Sequence, residues 1–473
     1  MRTNFSTNRI SFGTLARLCG GEIYPGALGQ VFVKSICTDS REAGPQTAFV
    51  ALRGDHVDGH DYIPAALELG CKCIICEHRT EELVNSEATA IVVNDSELAL
   101  SKIANAYRQY LSCSHIGVTG SVGKTTTKDL IASVLSVSHP TFATPGNHNS
   151  LVGMPLSMLE TPLNTEWSVL EMGMSNFGEV ERLSITAEPE IAVITNIGTS
   201  HMESLGSREN ICRAKLEILC GLRTGGTLLL NGDEPLLEKI GGKSYRTVYV
   251  SLLRENADFF AKNIIVEPDC TTFDVVWQGG VAKDLCIHLM GRHNVYAALY
   301  AFAIGTMVGM SENEIRRGLA LYEPQGMRQH IYSFKGLTLI EDCYNASPES
   351  MQAAIDVLDE YSRNTGRRSI AVLGDMLDLG YDSPSLHLKV GNHLADRKIN
   401  RLFTLGQGGD QIAVGARQGN MLLDNIGQNS NVEAFEVTAE QLLKEVKEGD
   451  VILFKASRAI GMERVVAYLK EHF

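Results

Sequence analysis

The stretch Gly117–Lys128, GVTGSVGKTTTK, runs an apolar segment into a glycine-rich turn and then into a Lys-Thr pair. A strand feeding such a turn and a helix belongs in a parallel α/β sheet, so this pattern excludes most folds. Gly120 and Gly123 let backbone N–H groups close around phosphate oxygens, Lys124 supplies a point charge, and the Thr125 hydroxyl can ligate magnesium. Gly120, Ser121, Val122, Gly123, Lys124, Thr125 and Thr126 are therefore the expected triphosphate grip. The common signature wants glycine at its first position, which is Val118 here, with the glycine moved two residues on to Gly120. A glycine turn that binds nothing is the competing reading, but packing needs alone rarely produce Gly-Lys-Thr after a strand.

At 473 residues the chain is too long for one core, and its length suggests about three domains. Hydrophobic content of 44% and charged content of 21% describe an ordinary globular protein, with no apolar run approaching the roughly 20 residues of a membrane span. The N-terminus lacks the basic-then-apolar layout of a secretory signal, which favours a cytoplasmic protein. A formal charge of −14, with no basic block, argues against nucleic acid as the main partner. Eleven scattered cysteines fit a reducing compartment rather than a disulfide framework. Cys71, Cys73, Cys76 and His78 lack a second ligand pair. The apolar run GCKCIIC makes buried structural cysteines the better reading than zinc.

Three blocks follow one another. Residues 1–110 read as a smaller N-terminal α/β domain ending in a helical run from Leu98 to Leu111. Residues 111–325 read as a central domain that carries the triphosphate grip, in which WSVLEMG and EIAVITNIG are apolar strands of a largely parallel sheet with helices on both faces. A helix from Val295 to Met307 leads to its close. Residues 326–473 repeat strand then helix, including SIAVLGDM, RLFTLG, VEAFEV and DVILFKAS as strands, and imply a Rossmann-like parallel α/β domain. No GxGxxG occurs there, so a dinucleotide site has little support.

Glu171 ends a strand in LEMGMSN, where the carboxyl-end loops of a parallel sheet gather over the phosphate site, and it is a magnesium-ligand candidate. An isolated strand-end glutamate is by default a solvated carboxylate. Its company is Asn196, Thr199 and His201 in TNIGTSHMESLGS, just past another strand, and Lys215 in ENICRAKLEILCG. A lone histidine is more often a satisfied polar group than a ligand, and Lys215 reads at first as a surface residue.

TGSVGKTTT, LEMGMSN, TNIGTSH and RAKLEIL, in this order and spacing, resemble the central domain of the Mur ligases, ATP-dependent carboxylate–amine ligases of peptidoglycan synthesis. The resemblance implies that Glu171 and His201 bind magnesium with Thr125. It also implies that Lys215 is carbamylated by carbon dioxide into an anionic ligand, which requires a neutral amine. It assigns Asn294 in GRHNVYAALYA to adenine, although a helix N-cap is its structural alternative. Arg328 in QGMRQ and Asp342 in IEDCYNASPESM match nucleotide-contacting residues of the C-terminal domain. Ser40, Arg41, Gly59 and His60 resemble the uridine-diphosphate segment, and Asn147 and Asn149 are assigned to the muramoyl peptide. Ala297, His148 and Ala456 depart from the family pattern.

The segments TDSREAGPQTAFVALRGDHVDGHDY, GNHNSLVGMPLSML, VLGDMLDLG and FKASRAIGMERVV are most similar to the family member that joins D-alanyl-D-alanine to UDP-N-acetylmuramoyl-tripeptide. The implied protein is a monomer with those two substrates, ATP and magnesium, without nucleic acid or a membrane span. A carboxylate is a poor electrophile, so ATP would activate it as an acyl phosphate that must be kept from water. Closure of the C-terminal block about Tyr322–Gly326 is the expected motion. The alternatives are another ligase, such as a folylpolyglutamate synthase or a different Mur enzyme, and a non-catalytic nucleotide-binding protein.

Overall fold

The computed structural model describes residues 1–6, 9–24, 32–54, 56–324 and 326–473. Among these residues the strands form three large sheets. In the central sheet Ser114–Thr119 lies between Trp167–Glu171 and Ile191–Ile194, all parallel, and Thr141–Ala143, Thr227–Asn231 and Arg246–Ser251 extend it. Alternation along these strands sorts their side chains to two faces. Ile116, Val118, Val169 and Val193 point to one core, together with Leu130, Ile131 and Val134 of the helix Lys124–Leu135 and Leu299 and Phe302 of the helix Asn294–Met307. Leu170, Ala192, Ile194 and Leu228 point to the other. A strand buried on both faces needs apolar residues at every position, which is why these segments read as continuous apolar runs.

The second core is shared with the first sheet. It takes in Leu100, Ile103 and Tyr107 of the helix Ser96–Arg108, which spans most of the expected 98–111 run. In the first sheet Ser35–Cys37, Thr47–Val50, Cys73–Cys76 and Thr89–Val92 are parallel, with antiparallel edge strands Arg2–Asn4 and Glu22–Tyr24. Cys73 belongs to the core on one side of this sheet, while Cys71 and Cys76 belong to that on the other. Cys73 thus faces away from Cys76, as positions three apart on a strand do, and the three thiols do not share one site.

Two elements depart from the sequence reading. Beyond Arg246–Ser251 the central sheet continues as a wing, Phe259–Glu267, Cys270–Trp277 and Gly280–Ile287, whose strands pair antiparallel with one another. In the third sheet the strand expected at VEAFEV is a helix, Phe435–Glu445, while the edge strand lies earlier at Ile426–Asn429. Asn431 ends that strand by accepting from the Glu433 N–H, which turns the chain before the helix starts. The rest of this sheet runs His330–Phe334, Leu337–Glu341, Val451–Lys455, Ser369–Gly374 and Arg401–Leu405, parallel except for the first pair. No helix among the described residues is long and apolar enough to cross a membrane.

Candidate active site between the central and C-terminal sheets

The phosphate loop starts where the strand Ser114–Thr119 ends. Gly120 has φ +148°, and a Cβ there would lie 1.9 Å from Thr195 Oγ1. Only glycine fits this approach. The Thr195 hydroxyl donates to the Val122 carbonyl at 2.7 Å, and Asn196 Oδ1 accepts from the Val122 N–H at 2.9 Å. Thr195 and Asn196 therefore brace the loop from the neighbouring strand. Gly123, at φ +80°, opens the helix Lys124–Leu135. Lys124 Nζ folds back to the Gly120 carbonyl at 2.8 Å, and desolvation, partly offset by Glu171, lowers its pKa.

Glu171 is 1% exposed, and both of its carboxylate oxygens are engaged. Oε2 accepts from the Thr125 hydroxyl at 2.8 Å and Oε1 from Asn149 Nδ2 at 2.7 Å. The candidate magnesium ligands Thr125 and Glu171 thus meet directly. His201 sits at φ +66°, a conformation that costs a non-glycine residue about 1 kcal/mol or more. Burial first, then the charge of Lys124, pushes its pKa down to about 4, which leaves a neutral imidazole.

Lys215, which by local pattern alone reads as a surface residue and by resemblance as a site ligand, is 1% exposed on the helix Arg208–Leu216. Desolvation first, then the neighbouring Lys124 charge, lowers its pKa well below the lysine norm. Removing a lone ammonium from water without a counter-ion favours the neutral amine.

The third sheet closes the site. A cavity of about 380 Å³ is lined by Ser121–Thr126, Asn147, Asn149, Glu171 and His201 on one side and by Asn294, Arg328 and Asp342 on the other. Asp342 Oδ2 pairs with Lys455 Nζ at 2.6 Å, and Lys455, 2% exposed, also donates to the Asn345 carbonyl at 2.9 Å. The Arg328 guanidinium lies 3.9 Å from the centre of the Tyr344 ring. Asn294 is the first residue of its helix rather than the cap, which is His293. Its Nδ2 donates to the Met290 carbonyl at 2.9 Å and to Gln329 Oε1 at 2.7 Å. Lys455, Tyr344 and Gln329 also line the cavity and were not singled out from sequence. Lys455 had one signal, its position at the carboxyl end of a parallel strand.

Ser40, Arg41, Gly59 and His60 lie in the first sheet's loops and do not line this cavity. Ser40 is buried, while Arg41 is exposed and held by Asp39 at 2.6 Å. A Cβ on Gly59 would strike the Leu52 carbonyl oxygen at 2.6 Å, so this glycine answers a packing need. His60 is 3% exposed, with Nδ1 on Asp58 at 2.6 Å and Nε2 accepting from the Glu77 N–H at 2.9 Å. Both ring nitrogens are engaged, so His60 braces the turn. Gln325, inside the expected hinge, lies outside the described residues.

A braced phosphate loop, a buried carboxylate beside its threonine and a third sheet closing over both define a phosphate-loop nucleotide enzyme. The chain matches the Mur ligase family, catalytic domain, over residues 32–108, the Mur ligase middle domain over 118–305 and the Mur ligase, glutamate ligase domain over 327–458. It is 38% identical to the UDP-N-acetylmuramoyl-tripeptide--D-alanyl-D-alanine ligase of Bacillus subtilis, with 97% of each chain covered. Its fold is similar to that of MurF from Acinetobacter baumannii, at TM-score 0.88 and 30% identity over 98% of this chain and 99% of that one. It is also similar to the MurF ligase of Thermotoga maritima in complex with ADP, at TM-score 0.80 and 29% identity over 92% and 97%. This chain belongs to the Mur ligase family of ATP-dependent ligases.

Proposed function

We propose that this chain joins the amine of D-alanyl-D-alanine to a carboxylate of UDP-N-acetylmuramoyl-tripeptide, converting ATP to ADP and phosphate. The observation that carries the reading is the cavity in which phosphate loop, Glu171, His201, Arg328 and Asp342 converge. The full-length likeness to ligases of that name supports the choice of substrates.

The N–H groups of Gly120–Thr126 and the Lys124 ammonium hold the triphosphate, with the Arg328 charge across the cavity. Asn294 and Asp342 are assigned to the nucleoside. The tripeptide carboxylate attacks the γ-phosphorus, the bond to ADP breaks, and an acyl phosphate forms. The dipeptide amine then attacks the acyl carbon and phosphate leaves with the bonding pair. Lys124 and Arg328 offset charge as it builds on the transferring group.

The described residues hold no cluster of three or more His, Cys, Asp or Glu of metal-site geometry. Magnesium commonly binds through one or two carboxylates plus substrate phosphates, and the Thr125 hydroxyl and Glu171 carboxylate, with a neutral His201, fit that chemistry. Bound there, magnesium would supply positive charge to the phosphate oxygens. Lys215 is assigned as a carbamate: its neutral amine adds to carbon dioxide, forming an N–C bond and releasing a proton. Its burial, with no ion pair to a carboxylate among the described residues, and its proximity to Lys124 support this.

Ser40, Arg41 and the Gly59–His60 turn are assigned to the uridine-diphosphate end, and Asn147 and Asn149, at the cavity wall, to the muramoyl peptide. Eleven free cysteines suit the reducing cytoplasm, where a monomer would act. The test is ADP release with each substrate omitted in turn. Release and peptide product are expected only when tripeptide nucleotide and D-alanyl-D-alanine are both present. Equal ADP release without the dipeptide would overturn the reading.

A further inference from the structure

The helix Pro348–Thr365 of the third sheet begins against the central sheet, and its Glu349 does not serve its own helix. The cap is already complete, because Ser347 accepts from the Ser350 N–H and Ser350 Oγ accepts from the Ser347 N–H. Glu349 instead reaches the loop after Ile191–Ile194. Its Oε1 accepts from the Thr199 N–H at 2.9 Å and the Thr199 hydroxyl at 3.0 Å, while Oε2 lies 3.3 Å from that hydroxyl. Gly198 makes room: a Cβ there would sit 2.9 Å from the carboxylate. The Gly198 N–H in turn donates to Ser121 Oγ of the phosphate loop at 2.8 Å.

His201 follows two residues later in its left-handed conformation. A second contact from the third sheet lies just beyond it, where the Glu203 N–H donates to the Asp378 carbonyl at 3.3 Å and a Cβ on Gly380 would be 3.0 Å from Glu203 Cα. The strained histidine is thus bracketed on both sides by the C-terminal sheet. A disfavoured backbone conformation persists only when its surroundings over-determine it.

We propose that Glu349 is a positioning residue which, by holding Thr199, fixes the loop bearing His201 and makes that geometry depend on docking of the C-terminal sheet. The proposal rests on the ligase reading for its kinetic consequence but not for its structural one. With the sheets apart the loop loses both brackets, so the catalytic arrangement is complete only when the sheets are together.

The direct test is amide hydrogen exchange across residues 197–205 in the full chain, saturated with a non-hydrolysable ATP analogue and the tripeptide nucleotide. Glu349→Ala is expected to speed exchange there at least about tenfold, since it removes the two charge-assisted hydrogen bonds to Thr199. Glu349→Gln, which keeps an acceptor oxygen, is expected to restore most of the protection. In ligation assays Glu349→Ala should lower kcat about tenfold with KM for ATP within about twofold. Its effect and that of Thr199→Val should be less than additive. Thr199→Val alters only the other partner and keeps the test open should Glu349→Ala not fold. Unchanged exchange, a Gln variant as damaged as the Ala variant, or additive effects would overturn the proposal. A wild-type chain that fails to ligate while Glu349→Ala speeds exchange removes the ligase reading and leaves the latch standing.

Discussion

Val118 occupies the place of the usual first glycine because that place is still inside the strand, opposite Glu171 and Val193 and fully buried. The need for glycine arises at Gly120, where the backbone crosses Thr195. Val118→Gly, which restores the common signature, should therefore destabilise the chain by about 2–4 kcal/mol in denaturant unfolding without tightening nucleotide binding. Gly120→Ala should weaken nucleotide binding by about tenfold or more by calorimetry, since its Cβ has nowhere to go. Lys215 makes a second residue-scale prediction. With 13C-labelled bicarbonate, the wild type should show a carbamate carbon signal that Lys215→Ala lacks; identical spectra would remove the carbamate. Lys124, Thr125 and Glu171 were legible in the sequence because each sits at a fixed offset from a strand end. Lys455, Tyr344 and Gln329 were not, because their relevance depends on how two sheets meet. At His60 the turn was visible in the sequence, but the Asp58 and Glu77 partners that engage its ring were not.

Elements were legible where burial imposes one pattern on a whole segment. The central strands are apolar at successive positions because both faces are covered, and the helix Lys124–Leu135 follows from its glycine start. The antiparallel wing escaped notice for the opposite reason. Phe259–Glu267 has exposed and half-buried positions along much of its length, including Lys262, Asn263 and Ile265, and its register shifts after Lys262. Such irregular alternation carries a weak strand signal. VEAFEV has strand-like composition, yet Val437 is 45% exposed and the segment supplies the first turn of a helix. Local β-propensity yields here to the capping turn before it and the packing of Thr438, Ala439 and Leu442 behind it. The helix Arg208–Leu216 is polar in composition, so its local pattern does not show that Lys215 faces inward; tertiary placement does.

At the scale of the whole molecule, the first and central sheets share one hydrophobic core, while the third keeps cores of its own, which Met290 and Val266 join from the central side, and meets the central sheet around a cavity. A large shared core resists separation, whereas a contact of a few side chains and hydrogen bonds around a cavity can open and close. That asymmetry suits a reaction that must admit two substrates and then exclude water from an acyl phosphate. The central claim is that ATP activates a carboxylate by direct phosphoryl transfer within this cavity. It is tested most directly by labelling the reacting carboxylate of the tripeptide nucleotide with 18O and analysing the released phosphate by mass spectrometry. The account predicts one labelled oxygen in the phosphate for each peptide bond formed; peptide product accompanied by unlabelled phosphate would contradict it.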